Sequence, residues 1–175
     1  MGRSPSREEA GGWQTGGMAT HTYELELAWT GDRGVGTTGY RDYSRDVRAT
    51  SDGRPVLELS ADKPFRGDPR RWNPELLLLA ALGECHLLSF LHIAVRHGVR
   101  VTSYHDSPLG WLEQEGLGGR FTRVLLRPRV TVTDASHVDL VPELHDEAAR
   151  ACFIASSVNF PIQHEPVTTI GRNTL

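Results

Sequence analysis

NPELLLLAALGECHLLSFLHIAVRHG, residues 73–98, carries its own start and stop signals for one long helix. Asn73 is a good N-cap, and Pro74 fits the first helical position, where its missing N–H costs nothing. Glu75 complements the positive end of the helix dipole, and Gly98 supplies a C′ terminator. Twenty residues of this apolarity could cross a bilayer by length. Gly83, Glu84, His86 and His92 in the middle argue against it, because ionisable groups are expensive in lipid. A helix apolar nearly all round must then be covered by its own domain's core or by a second subunit.

Upstream, Tyr23, Leu25, Leu27 and Trp29 alternate with polar neighbours, which predicts a half-buried strand over Thr22–Trp29. Gly31, Gly34 and Gly36 predict a hairpin turn with Arg33 near its tip. A polar second strand is expected over Thr37–Ala49, a turn at Asp52-Gly53, and a third strand over Val56–Ser60. Lys63–Trp72 reads as a loop. Downstream, strands are expected at Val99–Asp106, at Gly110–Glu115, which could pair with it, and at Phe121–Thr133. A second helix follows over Pro142–Phe153, a break at Asn159-Phe160-Pro161, and a last strand at Pro166–Ile170. Strands, long helix, strands, helix, strand is an α+β order rather than a βαβ alternation.

The chain has 175 residues, 38% of them hydrophobic and 23% charged, which fits one soluble domain. Residues 21–175 are assigned to that domain and 1–20 to a flexible extension. Met1–Gly17 lacks an apolar segment of the signal-peptide kind, so a cytoplasmic location is expected. A net charge of −3 offers no basic excess for nucleic acid or an anionic membrane. Two cysteines exclude a disulfide scaffold and a four-thiolate zinc site, but suffice for one redox pair. His86 and His92 are spaced too far apart to align on one face with Cys85, and no other histidine spacing forms a ligand motif. Neither a metal nor a cofactor is expected. Lys63 is the only lysine, so a fixed positive charge in a site is expected to be a guanidinium.

Cys85 lies mid-helix and Cys152 near the end of the second helix. Three segments carry a resemblance: NPELLLLAALGECH at 73–86, HDEAARACFIASSVNFP at 145–161, and WTGDRGVGT at 29–37. Together, in this order, they resemble the OsmC/Ohr family of peroxide-detoxifying proteins, over about Tyr23 to Ile170. The resemblance implies an OsmC-like fold, with an antiparallel sheet, a long central helix and a second helix. It also implies an intertwined homodimer with active sites at the subunit interface, acting as a thiol-dependent hydroperoxide reductase. Carried over by motif, Cys85 would be the peroxidatic and Cys152 the resolving cysteine, with Arg33 activating the thiolate and Glu75 its carboxylate partner. The family's substrates are organic hydroperoxides, fatty-acid hydroperoxides included, and its reductants are dithiols such as lipoylated proteins.

The chemistry asks for the same residue types. A thiolate attacks the O–O bond, and a free cysteine has a pKa of about 8.5, so a cation must favour ionisation. A guanidinium can also receive the charge building on the leaving oxygen. The sulfenic acid that forms condenses with a second thiol, and a dithiol recycles the disulfide. Arg41 and Arg45 follow closely on Arg33 and remain alternatives for the cation. Glu75 and Cys85 stand roughly 15 Å apart on a continuous helix. Either that helix breaks near Gly83, or Glu75 and Arg33 reach Cys85 from a partner subunit, which is the expectation here.

Two residues depart from the family pattern. Glu84 precedes Cys85, where a small residue is usual, and a nearby carboxylate raises a thiol pKa. His86 stands where an aromatic is common and is expected to alter the pocket wall. A non-catalytic OsmC-like dimer binding a hydrophobic small molecule is the competing reading. A metal-dependent hydrolase lacks its ligand motif, and a buried, inert Cys85 or a static Cys85–Cys152 disulfide are the bland alternatives.

Overall fold

The computed structural model describes residues 19–171. Most of the expected N-terminal extension lies outside them. In chain order the elements are β1 (Glu26–Trp29), β2 (Val47–Thr50), β3 (Leu57–Leu59), α1 (Pro74–Arg96), β4 (Val101–His105), β5 (Leu109–Glu115), β6 (Gly118–Leu126), β7 (Arg129–Val132), α2 (Val141–Ala151), β8 (Ile162–His164) and β9 (Val167–Ile170). They form three three-stranded sheets, ordered β1-β2-β3, β4-β7-β9 and β5-β6-β8.

α1 begins as its sequence dictates. The Asn73 side chain accepts the Leu76 N–H at 2.8 Å, and Pro74 and Glu75 fill the first turn. At the other end Gly98 takes a positive φ of 70°, which a side chain would strain. Between these ends α1 spans two cores. Its first half packs Leu82 against Val124 and Leu126 of β6. Its second half packs Phe90, Ile93 and Ala94 against Val130 and Val132 of β7 and Val141, Leu144 and Ala148 of α2. Gly83 lies between the two cores. A Cβ there would stand 3.1 Å from Pro108 Cγ, so a small residue lets the 106–108 loop approach the helix.

Several expectations change. Residues 37–43 are turns and bends rather than strand, 44–46 are irregular, and β2 starts only at Val47. Arg45 explains this: its guanidinium lies over the rings of Tyr40 and Tyr43, 4.3 and 4.1 Å from their centroids, and donates to both of their carbonyls. That closes a compact loop that the alternating pattern does not reveal. The stretch Phe121–Thr133 is two strands, because Pro128 lacks the N–H a continuous ladder needs. As a result β5 pairs with β6, while β4 pairs with β7, in place of the expected pairing of β4 with β5. The sheets are also not wholly antiparallel: β6 runs parallel to β8 and β7 to β9. β8 had no signal in the sequence beyond the break at Pro161.

The half-buried strand expected over Thr22–Trp29 is regular only at Glu26–Trp29 and is exposed along its length, and in the β1–β3 sheet Leu59 is the buried apolar residue. Tyr23, Leu25, Leu27 and Trp29 are all exposed in the single chain. So are Leu76, Leu88 and Val95 on the outer face of α1.

Candidate active site

Cys85 sits on α1 three positions after the buried Leu82 and is itself half-buried. It opens onto a cleft of about 720 Å³, lined by Leu88, Ile93, Phe153 and Ile154 among others, with Glu84 and Arg96 also on its walls. The walls are overwhelmingly apolar. A larger concavity of about 1210 Å³ runs along β1 and β2 and contains neither thiol.

Cys152 is the residue at which α2 ends. Its backbone turns extended (φ −78°, ψ 109°), and its side chain is 1% exposed. Cys85 and Cys152, both unbridged, are neighbours across the α1–α2 interface. The Ala155 N–H donates to Cys152 Sγ at 3.4 Å, from the short helical turn Ala155–Ser157. Burial first, and then the Cys85 contact, push the Cys152 thiol up to about 11, with the Ala155 N–H acting the other way. Cys152 is therefore a neutral thiol near pH 7.

The other two expected site residues are elsewhere. α1 is unbroken from Pro74 to Arg96, so no bend at Gly83 carries Glu75 to Cys85. Glu75 Oε2 is buried without a hydrogen-bond partner among the described residues. Arg33 is exposed in the loop after β1, where the Asp32 carboxylate accepts the N–H groups of Gly34 and Gly36 at 2.8 and 2.9 Å. Those bonds hold Asp32 below the usual carboxylate range. Arg41 is exposed as well, while Arg45 is committed to Tyr40 and Tyr43. Within one chain the structure joins Cys85 to Cys152 and leaves Arg33 and Glu75 apart from them.

His86 does not line the cleft, contrary to expectation. One helical position past Cys85, it turns inward to 1% exposure. Its Nε2 lies 3.0 Å from Nδ1 of the equally buried His145 on α2. The His164 ring, from β8, is 4.3 Å from the His86 ring by centroids, and Phe90 stacks on His145 at 4.1 Å. Burial, and the neighbouring imidazoles after it, hold His86 down to about 3. Burial likewise holds His145 down to about 4 and lowers His164. The rings stack rather than surround a common centre, and among the described residues no group of three or more His, Cys, Asp or Glu is arranged to hold a metal. His145 could have been found from the sequence. It shares the apolar stripe of α2 with Val141, Leu144 and Ala148, a position where a polar ring needs a buried partner.

Residues 67–166, from the loop before α1 through β8, match the model of the OsmC-like protein family. The chain belongs to that family. Among solved structures, an OsmC-like protein of unknown function from Vibrio cholerae superposes with a TM-score of 0.75 at 29% identity, covering 85% of this chain and 100% of that one. The organic hydroperoxide resistance protein OsmC of Legionella pneumophila shares the fold with a TM-score of 0.59 at 17% identity, over 87% of this chain and 99% of that one. The uncharacterized protein YmaD of Bacillus subtilis is 26% identical over 165 residues, 88% of this chain and 99% of its own. The OsmC-like fold thus carries, in this member, a thiol pair at the α1–α2 contact beside an apolar cleft.

Proposed function

We propose that the protein is a cysteine-based peroxidase that reduces organic hydroperoxides to alcohols. The observation that carries the reading is the meeting of Cys85, open to an apolar cleft, with the buried Cys152 thiol. In the cycle, the Cys85 thiolate attacks one peroxide oxygen and the O–O bond breaks. The leaving alkoxide takes a proton, and Cys85 becomes a sulfenic acid. Cys152 then attacks that sulfur, water leaves, and a disulfide forms. A dithiol such as a lipoylated protein restores both thiols. No cofactor enters this cycle, and we place it in the cytoplasm.

The active form in this reading is a homodimer. The uncovered apolar faces of β1 and α1 need a partner, and the unbroken helix bars Glu75 from its own Cys85. A second copy can deliver Arg33 and Glu75 to Cys85, the cation to favour the thiolate and the carboxylate to hold it.

One equivalent of cumene hydroperoxide added to the reduced protein tests the cycle by intact mass. Loss of two hydrogens, abolished in Cys85→Ser, is the expected result. An unchanged mass sinks the peroxidase and leaves a non-catalytic dimer that binds an apolar small molecule in the same cleft.

A further inference from the structure

We infer that the reductant attacks Cys85 rather than Cys152, entering by the same cleft as the peroxide. This rests on the disulfide cycle proposed above. Ala151 and Phe153, on either side of Cys152, line the cleft together with Cys85, but Cys152 does not. Its side chain is 1% exposed beneath that wall. Bonding two neighbouring sulfurs leaves Cys152 under the same cover.

Thiol–disulfide exchange is an in-line displacement, so the sulfur that is struck must be open on the side opposite its partner. Of the two sulfurs, only that of Cys85 belongs to a residue lining the open cleft. The leaving atom is then Cys152 Sγ, which already has the Ala155 N–H aimed at it at 3.4 Å. A fixed backbone donor stabilises the charge that arrives there, and it costs no reorganisation at the moment of bond breaking. That donor matters because burial otherwise makes Cys152 a poor leaving group.

The steps balance. A reductant thiolate bonds to Cys85 Sγ as the Cys85–Cys152 bond breaks, and the electron pair goes to Cys152 Sγ, which takes up a proton. The second thiolate of the reductant attacks its own sulfur in the mixed disulfide. A cyclic disulfide departs, and Cys85 leaves as a thiolate. Two electrons pass from dithiol to protein. Peroxide and reductant therefore compete for one cleft.

The test starts from wild-type protein oxidised with diamide, so that it does not depend on peroxide turnover. A sub-stoichiometric amount of β-mercaptoethanol is added, the reaction is quenched in acid, and the adduct is located by peptide mass mapping. The expected adduct is on Cys85, in excess of about ten-fold over Cys152. An adduct on Cys152, or equal adducts on both, overturns the inference while leaving the peroxidase reading intact. A protein in which diamide forms no Cys85–Cys152 disulfide overturns the cycle and this inference together.

Discussion

His86 and His145 are joined across the α1–α2 interface, Nε2 to Nδ1 at 3.0 Å, immediately behind Cys85 and two turns ahead of Cys152. One nitrogen must donate and the other accept, so the pair holds complementary neutral tautomers. Its outer nitrogens, His86 Nδ1 and His145 Nε2, are buried without partners among the described residues. Protonating either ring would place an unscreened charge in this cluster. The same two helices carry the two thiols, so the imidazole bond fastens the interface at which the thiols lie.

Acid should therefore loosen the fold. His86 and His145 are held down to about 3 and about 4, against about 6.5 unfolded, and His164 is lowered too. The unfolded chain takes up protons below pH 6.5 and the folded chain does not, so this stability is complete above that value and lost on the way down to about 4 and 3. Each imidazole that stays neutral contributes a slope of about 1.4 kcal/mol per pH unit. Asp106, raised by burial and facing His164, opposes the trend, but it is one group against three. The urea midpoint should fall steadily from pH 7 to pH 4.5. A flat midpoint over that range contradicts the account.

Breaking the imidazole pair should slow disulfide formation more than peroxide attack. His86→Leu leaves His145 Nδ1 buried and unsatisfied, a loss of about 1–3 kcal/mol. It also removes one fastening of α1 to α2. Stopped-flow mixing with peroxide should show sulfenic acid forming at near the normal rate and persisting for longer. His86→Asn, which keeps a donor and an acceptor, should recover part of the resolution rate. Equal slowing of both steps would mean that the pair serves stability alone.

Much of this was legible in the chain. Asn73, Pro74, Glu75 and Gly98 set both ends of α1, because capping is local chemistry. The two thiols were recognisable from their flanking residues, and their contact follows from α1 packing on α2. What could not be read is non-local. The stacking of Arg45 on Tyr40 and Tyr43, the division of β6 from β7 at Pro128, and the parallel pairing of β8 with β6 and of β9 with β7 depend on partners chosen in three dimensions. The same holds for His164, whose partners His86 and Asp106 lie far away in sequence.

Phe90 should be the costliest single truncation in the second core. It is fully buried, stacks on His145 and approaches Tyr104 at 5.6 Å between centroids. Phe90→Ala leaves a cavity at the meeting of α1, α2 and β4, with an expected loss of about 3–5 kcal/mol in urea unfolding. Asn73→Ala removes only the cap to the Leu76 N–H and should cost about 1 kcal/mol. A smaller loss at Phe90 than at Asn73 would show that the core collapses around the gap.

The proposed dimer makes a prediction that no single-chain site can satisfy. If Glu75 serves the Cys85 of the other copy, Cys85→Ser and Glu75→Gln homodimers each lack a complete site. A mixed dimer of the two variants pairs the intact Cys85 of the Glu75→Gln chain with the intact Glu75 of the Cys85→Ser chain. Random reassociation at equal amounts gives half mixed dimers, each with one working site of two, so about a quarter of wild-type peroxide reduction should return. The variants should be unfolded and refolded together, with separately refolded samples mixed afterwards as the control. Activity that rises only in the co-refolded sample places the two residues in one site across the interface. Activity that stays at the sum of the separate samples rules out Glu75 as a partner-supplied group. It would return the search for the thiolate's support to residues of its own chain, beginning with Arg96 on the wall of the same cleft.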